Sequence, residues 1–194
     1  ERLREQFIKD MPQLVDTLAQ EITAFSKKPF AFFGHSMGAI VAYETARRLN
    51  SMRASQPIHL FLSARAAPHL QKNTDLLRFL DDQTFVDKLQ ETYGAVPEAI
   101  RKSPELKEIL RPRLRADVEL LEKYEEVSSE TLDYPITALG GISDPAISRA
   151  NLEGWQARTT AKLTLHEFPG NHFFIDEERE AVIAAITNEL AHSL

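Results

Sequence analysis

The chain has 194 residues, 43% hydrophobic and 27% charged, a balance that excludes a disordered polymer and allows one domain with a real core. Its net charge of −6, from 23 basic and 29 acidic residues, argues against a nucleic acid or an anionic membrane as partner. It has no cysteine, which removes disulfides, thiolate metal ligands and a thiol nucleophile, and no apolar run reaches the length of a membrane span.

From residue 2 to 26, Leu3, Phe7, Ile8, Met11, Leu14, Val15, Leu18, Ile22 and Phe25 recur at helical spacing and predict an amphipathic helix. The run PFAFF from Pro29 is too short for a helix and reads as a buried strand. GHSMG follows, and AIVAYETARRLN after it reads as a helix whose basic end suits its C-terminal dipole. Ile58 to Ser63 (IHLFLS) is a second buried strand. From Thr74 to about Glu126 the chain is charged and helical, with breaks expected at Gly94, Pro97, Pro104 and Pro112. Strands return at Ile136 to Gly140 and Leu163 to Phe168, separated by a helix-like stretch around Ile147 to Ala157. A helix from about Asp176 to His192 closes the sequence. Strands alternating with helices imply an α/β fold with a mostly parallel sheet covered by helices on both faces. The helical stretch at 74–126 falls between the second and third strands, where it reads as a lid inserted into a single domain spanning 1–194.

The pattern G-x-S-x-G occurs as Gly34-His35-Ser36-Met37-Gly38. Five residues with three fixed recur by chance, and a plain glycine-rich turn is the competing reading. The setting decides: a strand ends before the motif and a helix begins after it, as a nucleophile elbow requires. There the serine backbone is strained, Oγ is pushed out above the sheet, and two glycines let strand and helix approach closely. The helix N-terminus places amide donors beside the serine, and the Met37 N–H is the candidate for one oxyanion donor.

A serine hydroxyl needs a base to take its proton. Hydrolases of this fold run serine, acid, histidine along the chain, so the base should sit on a late loop. His172, in FPGNHFF just after the last strand, meets that requirement. His192 falls in the terminal helix, His59 and His166 within strands, His69 before the insertion, and His35 too close to Ser36 to swing back. The acid should follow a strand at its C-terminal end, where α/β sites gather. Asp144, in GGISDP, does so. Asp133 precedes that strand, Asp117 lies in the insertion, and Asp176 reads as the cap of the last helix. Asp144 also precedes Pro145, so a simple turn aspartate is its other reading. The three residues predict acyl transfer through an acyl-enzyme, with neither metal nor organic cofactor.

With these residues placed, the sequence resembles the type II thioesterases that accompany nonribosomal peptide and polyketide synthases, members of the α/β-hydrolase superfamily. The resemblance runs through FFGHSMGAIVAYETARRL, LFLSARAAPHL, LRPRLRADVELLEKYE, ITALGGISDP and FPGNHFF, with Trp155 where the family has a tryptophan. It implies Ser36, Asp144 and His172 as the triad, a mobile lid at 74–126, and acyl or peptidyl carrier proteins as partners presenting substrate on phosphopantetheine. It also implies a cytoplasmic enzyme, here expected to be a monomer. Related chain-releasing domains usually carry their acid after the strand before the lid. Here that position reads Ser63-Ala64-Arg65, which favours the editing type. The family has further strands before the elbow, and a loop there gives a second oxyanion donor. This sequence is therefore expected to be N-terminally incomplete, with that donor outside it.

A medium-chain thioesterase acting with a fatty acid synthase, a generic esterase and a non-catalytic acyl-binding module share most of these features. Phe79, Phe85, Val86, Leu89 and Tyr93 could line an acyl cavity or simply pack the insertion. Arg101, Lys102, Arg111, Arg113 and Arg115 could dock an acidic carrier protein or form a solvated face.

Overall fold

The computed structural model describes residues 7–8, 10–25, 28–71, 76–94 and 103–192. Four strands, β1 (Ala31–His35), β2 (His59–Ser63), β3 (Ile136–Gly141) and β4 (Leu163–Phe168), form a parallel sheet in the order β1-β2-β3-β4. Among the described residues β1 and β4 are its edges. The helices are α1 (Met11–Phe25), α2 (Met37–Ser51), α3 (Asp82–Tyr93), α4 (Pro104–Glu122), α5 (Arg149–Glu153), α6 (Phe174–Glu177) and α7 (Arg179–Ala191). Short 3₁₀ turns stand at Pro68–Leu70, Leu77–Phe79 and Gly154–Arg158.

The strand residues alternate between two cores, as a pleated sheet requires. Leu60, Leu62, Ile136 and Ala138 face α1, α2 and Trp155. Phe61, Leu139 and Phe168 face Phe174 and Val182 of the C-terminal helices. Full burial of each large side chain contributes roughly 1.5–3 kcal/mol, and Ile40, Leu49, Leu60, Leu62 and Ile136 are all completely buried. Covered on both faces, the central strands carry no polar alternation, which is why they read as continuous apolar runs.

The segment between β2 and β3 has a core of its own, built from Leu77, Phe85, Val86 and Leu89 with Leu80, Tyr93, Leu114 and Val118 against it. Asp81 caps α3, its carboxylate accepting from the amides of Gln83 and Thr84. Gly94, at φ 63°, ends that helix, and its N–H donates to the Gln90 carbonyl at 2.9 Å. Pro104 stands in the first turn of α4, behind the Ser103 cap. The break expected at Pro112 does not occur: α4 runs through it to Glu122. An interior proline costs a helix about 3 kcal/mol. Packing of Leu114 and Val118, and the ion pairs of Arg111 and Arg115 with Asp82, keep α4 continuous across it. Pro97 lies outside the described residues. The terminal helix also differs from expectation. Asp176 is inside α6 rather than capping α7, because Phe174 stacks on Phe168 at 5.3 Å and starts the helical turn earlier.

Candidate active site

The β1–α2 turn requires glycine at position 34 but not at 38, where a Cβ would meet nothing within 4 Å, so only the first of the two expected close approaches occurs. A Cβ on Gly34 would lie 2.1 Å from the Gly38 carbonyl oxygen and 2.7 Å from the Ala39 nitrogen, both backbone atoms that cannot yield. Between the glycines, Ser36 takes φ 53° and ψ −116°, a region that disfavours any residue with a Cβ. Two backbone hydrogen bonds hold it there: its N–H donates to the Ser63 carbonyl at 2.8 Å, at the end of the neighbouring strand, and its carbonyl accepts from the Ala39 N–H at 3.0 Å. Met37 is the first residue of α2, so its amide has no carbonyl within its own helix to meet.

His172 follows β4, and Asp144 follows β3. The two loops are stitched together: Ile142 N–H donates to Phe168 O and Ser143 N–H to Gly170 O, each at 2.9 Å. Gly141 permits this, since a Cβ there would lie 2.2 Å from the Asn171 carbonyl oxygen. His172 Nε2 lies 3.0 Å from Ser36 Oγ, and His172 Nδ1 lies 2.8 Å from Asp144 Oδ2. The other carboxylate oxygen of Asp144 accepts from the amides of Ala146 and Ile147 at 2.8 and 3.2 Å. The side chains of His172 and Asp144 are 1% and 0% exposed, so water does not compete for their hydrogen bond. Ser36 itself stays partly open. The geometry lets Ser36 lose a proton to His172 while Asp144 fixes the imidazole tautomer.

Three aromatic rings surround the imidazole, and none was singled out for it by sequence reasoning. Their centroids lie 5.0 Å (Tyr93), 5.2 Å (Phe173) and 5.4 Å (His35) from that of His172. His35 does not reach Ser36. Its Nδ1 meets the Ser63 hydroxyl at 2.9 Å, and burial, reinforced by His172, pushes its pKa down to about 4. It is therefore a neutral ring at neutral pH. The one available signal was its position next to the nucleophile, which fixes where its ring must go. Tyr93 carries no local signal, because only the tertiary fold brings α3 over this loop.

The other sequence candidates fall elsewhere. His59 is buried with Nε2 2.8 Å from Thr137 Oγ1, His166 meets Glu189 at 3.2 Å, and His69 and His192 are exposed. Phe85, Val86 and Leu89 pack inside the insertion, while Phe79 is 73% exposed with the Arg78 guanidinium 4.6 Å from its ring centre. Arg111 pairs with Asp82 and Glu108. Arg115 binds Asp82 and the Leu80 carbonyl, both at 2.7 Å, and the Arg113 guanidinium lies 6.0 Å from the Phe7 ring centre. Arg111 and Arg115 thus brace the insertion internally. Arg101 and Lys102 lie outside the described residues.

A cavity of about 800 Å³ lies apart from this chemistry, among α1, the end of α2 and the chain after α4. Met11, Glu44, Arg47 and Tyr124 help line it, and none of Ser36, Asp144 and His172 does. Among the described residues no group of His, Asp or Glu is arranged to hold a metal ion. No helix among them is long and apolar enough to cross a membrane.

A parallel sheet under helices, a strained serine at a strand-to-helix turn and a histidine and an aspartate on later loops define a serine hydrolase of the α/β-hydrolase fold. More narrowly, the chain belongs to the thioesterase domain family, whose model matches residues 1–190. It is 37% identical over 192 residues to the protein named linear gramicidin dehydrogenase LgrE of Brevibacillus parabrevis, covering 97% of this chain and 73% of that one. It is 34% identical to the gramicidin S biosynthesis protein GrsT of Aneurinibacillus migulanus, over 94% of this chain and 71% of the relative. Among solved structures, the type II thioesterase BorB from the borrelidin biosynthetic cluster superposes with a TM-score of 0.84 at 33% identity, covering 94% of this chain and 74% of that one. The chain is thus a hydrolase acting on thioesters.

Proposed function

We propose that Ser36, His172 and Asp144 act as nucleophile, base and acid in hydrolysing acyl groups from the phosphopantetheine arm of carrier proteins, clearing stalled peptide or polyketide synthases. The observation that carries this reading is the continuous line Ser36 Oγ, His172 Nε2, His172 Nδ1, Asp144 Oδ2, with links of 3.0 and 2.8 Å. It is supported by the biosynthetic relatives GrsT and BorB, and it rests on the site rather than on the word dehydrogenase in the name of LgrE.

In the first step Ser36 Oγ bonds to the thioester carbonyl carbon as its proton passes to His172 Nε2. The carbonyl π electrons move to oxygen, and the Met37 N–H is one donor to that oxyanion. Collapse breaks the C–S bond, and the pantetheine thiolate takes the proton from His172. Water then attacks the acyl-serine ester, giving its proton to His172, which returns it to Ser36 Oγ as the free acid leaves. Neither a metal nor an organic cofactor takes part. The partner is an acyl or peptidyl carrier protein, the enzyme acts as a monomer in the cytoplasm, and the inserted segment is the lid over the acyl site.

Labelling with a fluorophosphonate and hydrolysis of acetyl-carrier protein, acyl-CoA and oxygen esters test this reading. Wild type should label, Ser36→Ala should not, and the carrier-bound thioester should be the preferred substrate. Preference for oxygen esters would overturn the thioesterase assignment of the site.

A further inference from the structure

We propose that His35, the residue before the nucleophile, is a positioning residue for the catalytic base: fixed at its edge by the Ser63 hydroxyl, its ring seats the loop that carries His172. This rests on the triad reading above and gives the elbow a second role, beyond presenting Ser36.

The pleat of the sheet sends His35 to that loop. Side chains alternate between faces along a strand. In β1, Gly34 faces α2, where a Cβ would strike the Gly38 carbonyl. His35 therefore points to the opposite face, the one that Phe61 and Phe174 share. It pairs in register with Ser63, the last residue of β2, so the two side chains leave the sheet on the same side. The loop after β4 arrives on that side with His172, Phe173 and Phe174 in sequence.

The polar edge of His35 meets Ser63, with Nδ1 2.9 Å from the hydroxyl oxygen. Ser63 is 0% exposed, and strand pairing holds both backbones. His35 Nε2 is buried and, among the described residues, has no hydrogen-bond partner. One polar contact thus fixes the ring at one edge, and the remainder packs.

It packs against three successive residues of the base loop. Ring centroids lie 5.4 Å away for His172, 5.5 Å for Phe173 and 6.1 Å for Phe174. Phe174 is itself stacked on Phe168 of β4 at 5.3 Å, which secures that end of the loop. His172 makes two hydrogen bonds in its ring plane, one at each nitrogen. They leave one motion open, a swing of the ring about the line joining them, and only packing can stop it. Of the three rings around His172, His35 alone stands on the sheet. Phe173 is bonded to the base itself, and Tyr93 belongs to the inserted segment. Burial keeps His35 neutral, so its ring packs there without opposing the imidazolium that forms on His172.

The alternative role for His35 is to shape the elbow, acting on Ser36 rather than on His172. Two measurements on the full chain separate the roles: kcat and KM for an acetyl-pantetheine thioester, and the far-downfield proton NMR signal of His172 Nδ1–H. His35→Asn keeps a polar group beside Ser63 and loses the ring. It should lower kcat about tenfold or more with KM within about twofold, as expected for a base displaced by a fraction of an ångström. The downfield signal should broaden with it. His35→Phe keeps a ring and loses the polar edge, so it should lower kcat by only about threefold. Ser63→Ala should match His35→Phe, and the double variant should be no worse than the weaker of the two. This cycle decides the question even if His35→Asn does not fold. A fall in kcat with the downfield signal unchanged would overturn the proposal. So would a rise in KM at unchanged kcat, or additive losses in the double variant. A wild type unable to cleave thioesters would overturn the proposed function, and this proposal with it.

Discussion

Asp144→Asn isolates the electrostatic part of the site from its architecture. The carboxylate has two jobs on two oxygens: Oδ1 accepts from two turn amides, and Oδ2 accepts from His172 Nδ1 at 2.8 Å. Asparagine can keep the first by pointing its carbonyl at Ala146 and Ile147. Its NH₂ then faces His172 Nδ1, two donors meet, and the imidazole turns to the wrong tautomer. The lost charge matters as well. At about 4 Å between charge centres and an effective dielectric of about 20, carboxylate and imidazolium attract by about 4 kcal/mol. At 1.36 kcal/mol per decade that is about three orders of magnitude in rate, and the tautomer penalty brings the expected loss in kcat to about 10⁴-fold. Stability should change little, by under about 1 kcal/mol, because the turn bonds survive. Asp144→Ala should lose the same activity and an additional ~2 kcal/mol from two unpaired amides. Single-turnover release of acid from an acetyl thioester, with urea unfolding of both variants, measures the two quantities separately. If Asp144→Asn retained more than a tenth of wild-type kcat, the aromatic surround alone would suffice to orient His172. The electrostatic argument would then fail.

Gly34→Ala should abolish fluorophosphonate labelling and destabilise the fold by more than about 4 kcal/mol, since the new Cβ would sit 2.1 Å from a backbone oxygen; a soluble, labelled variant would refute the elbow geometry. His35 adds a pH dependence with a definite sign. Its pKa falls from 6.5 to about 4 on folding, so the unfolded chain binds more protons between those values, and stability is lost as pH falls through that window. The loss is about 3 kcal/mol at most, and His35→Gln should flatten the urea-midpoint profile between pH 6.5 and 4. Ser63→Ala removes the hydroxyl that meets His35 Nδ1 but keeps the carbonyl that holds the Ser36 amide. It should cost about 1–3 kcal/mol, a fall in Tm of roughly 2–12 °C. Differential scanning calorimetry checks it, and an unchanged Tm would mean that the His35 contact contributes nothing.

Much of the fold was legible because buried parallel strands are short apolar runs that helices separate. The strand β1 was read two residues early, at Pro29 to Phe33. Gly34 and His35 have little preference for strands, yet they pair with Leu62 and Ser63 in the sheet. Ser36, Asp144 and His172 could be singled out because each belongs to a local pattern: a turn between glycines, a loop after a strand, and a loop after the last strand. Pro112 and Asp176 misled for the opposite reason. Each follows a local rule that packing overrides, by Leu114 and Val118 in one case and Phe174 in the other. Nothing local marks Tyr93 as a neighbour of His172, a contact that depends on how the insertion folds back over the sheet.

The end of β2 bears on why the proposed acid follows β3 rather than β2 in this chain. Ser63 uses both of its oxygens on the elbow, the carbonyl for the Ser36 amide and the hydroxyl for the His35 ring. Ala64, at φ 50°, turns the chain sharply and ties it to Leu139. The Arg65 guanidinium then donates to Gln71 Oε1 at 2.6 Å. A carboxylate at position 65 would set acceptor against acceptor, because the guanidinium there now donates to the Gln71 side-chain carbonyl. Ser63, the last residue of β2, therefore braces Ser36 and the ring beside His172, and Ala64 fixes the turn that follows. In the proposed triad the charge that stabilises the imidazolium comes from the loop after β3, where Asp144 has two backbone amides to hold its other oxygen.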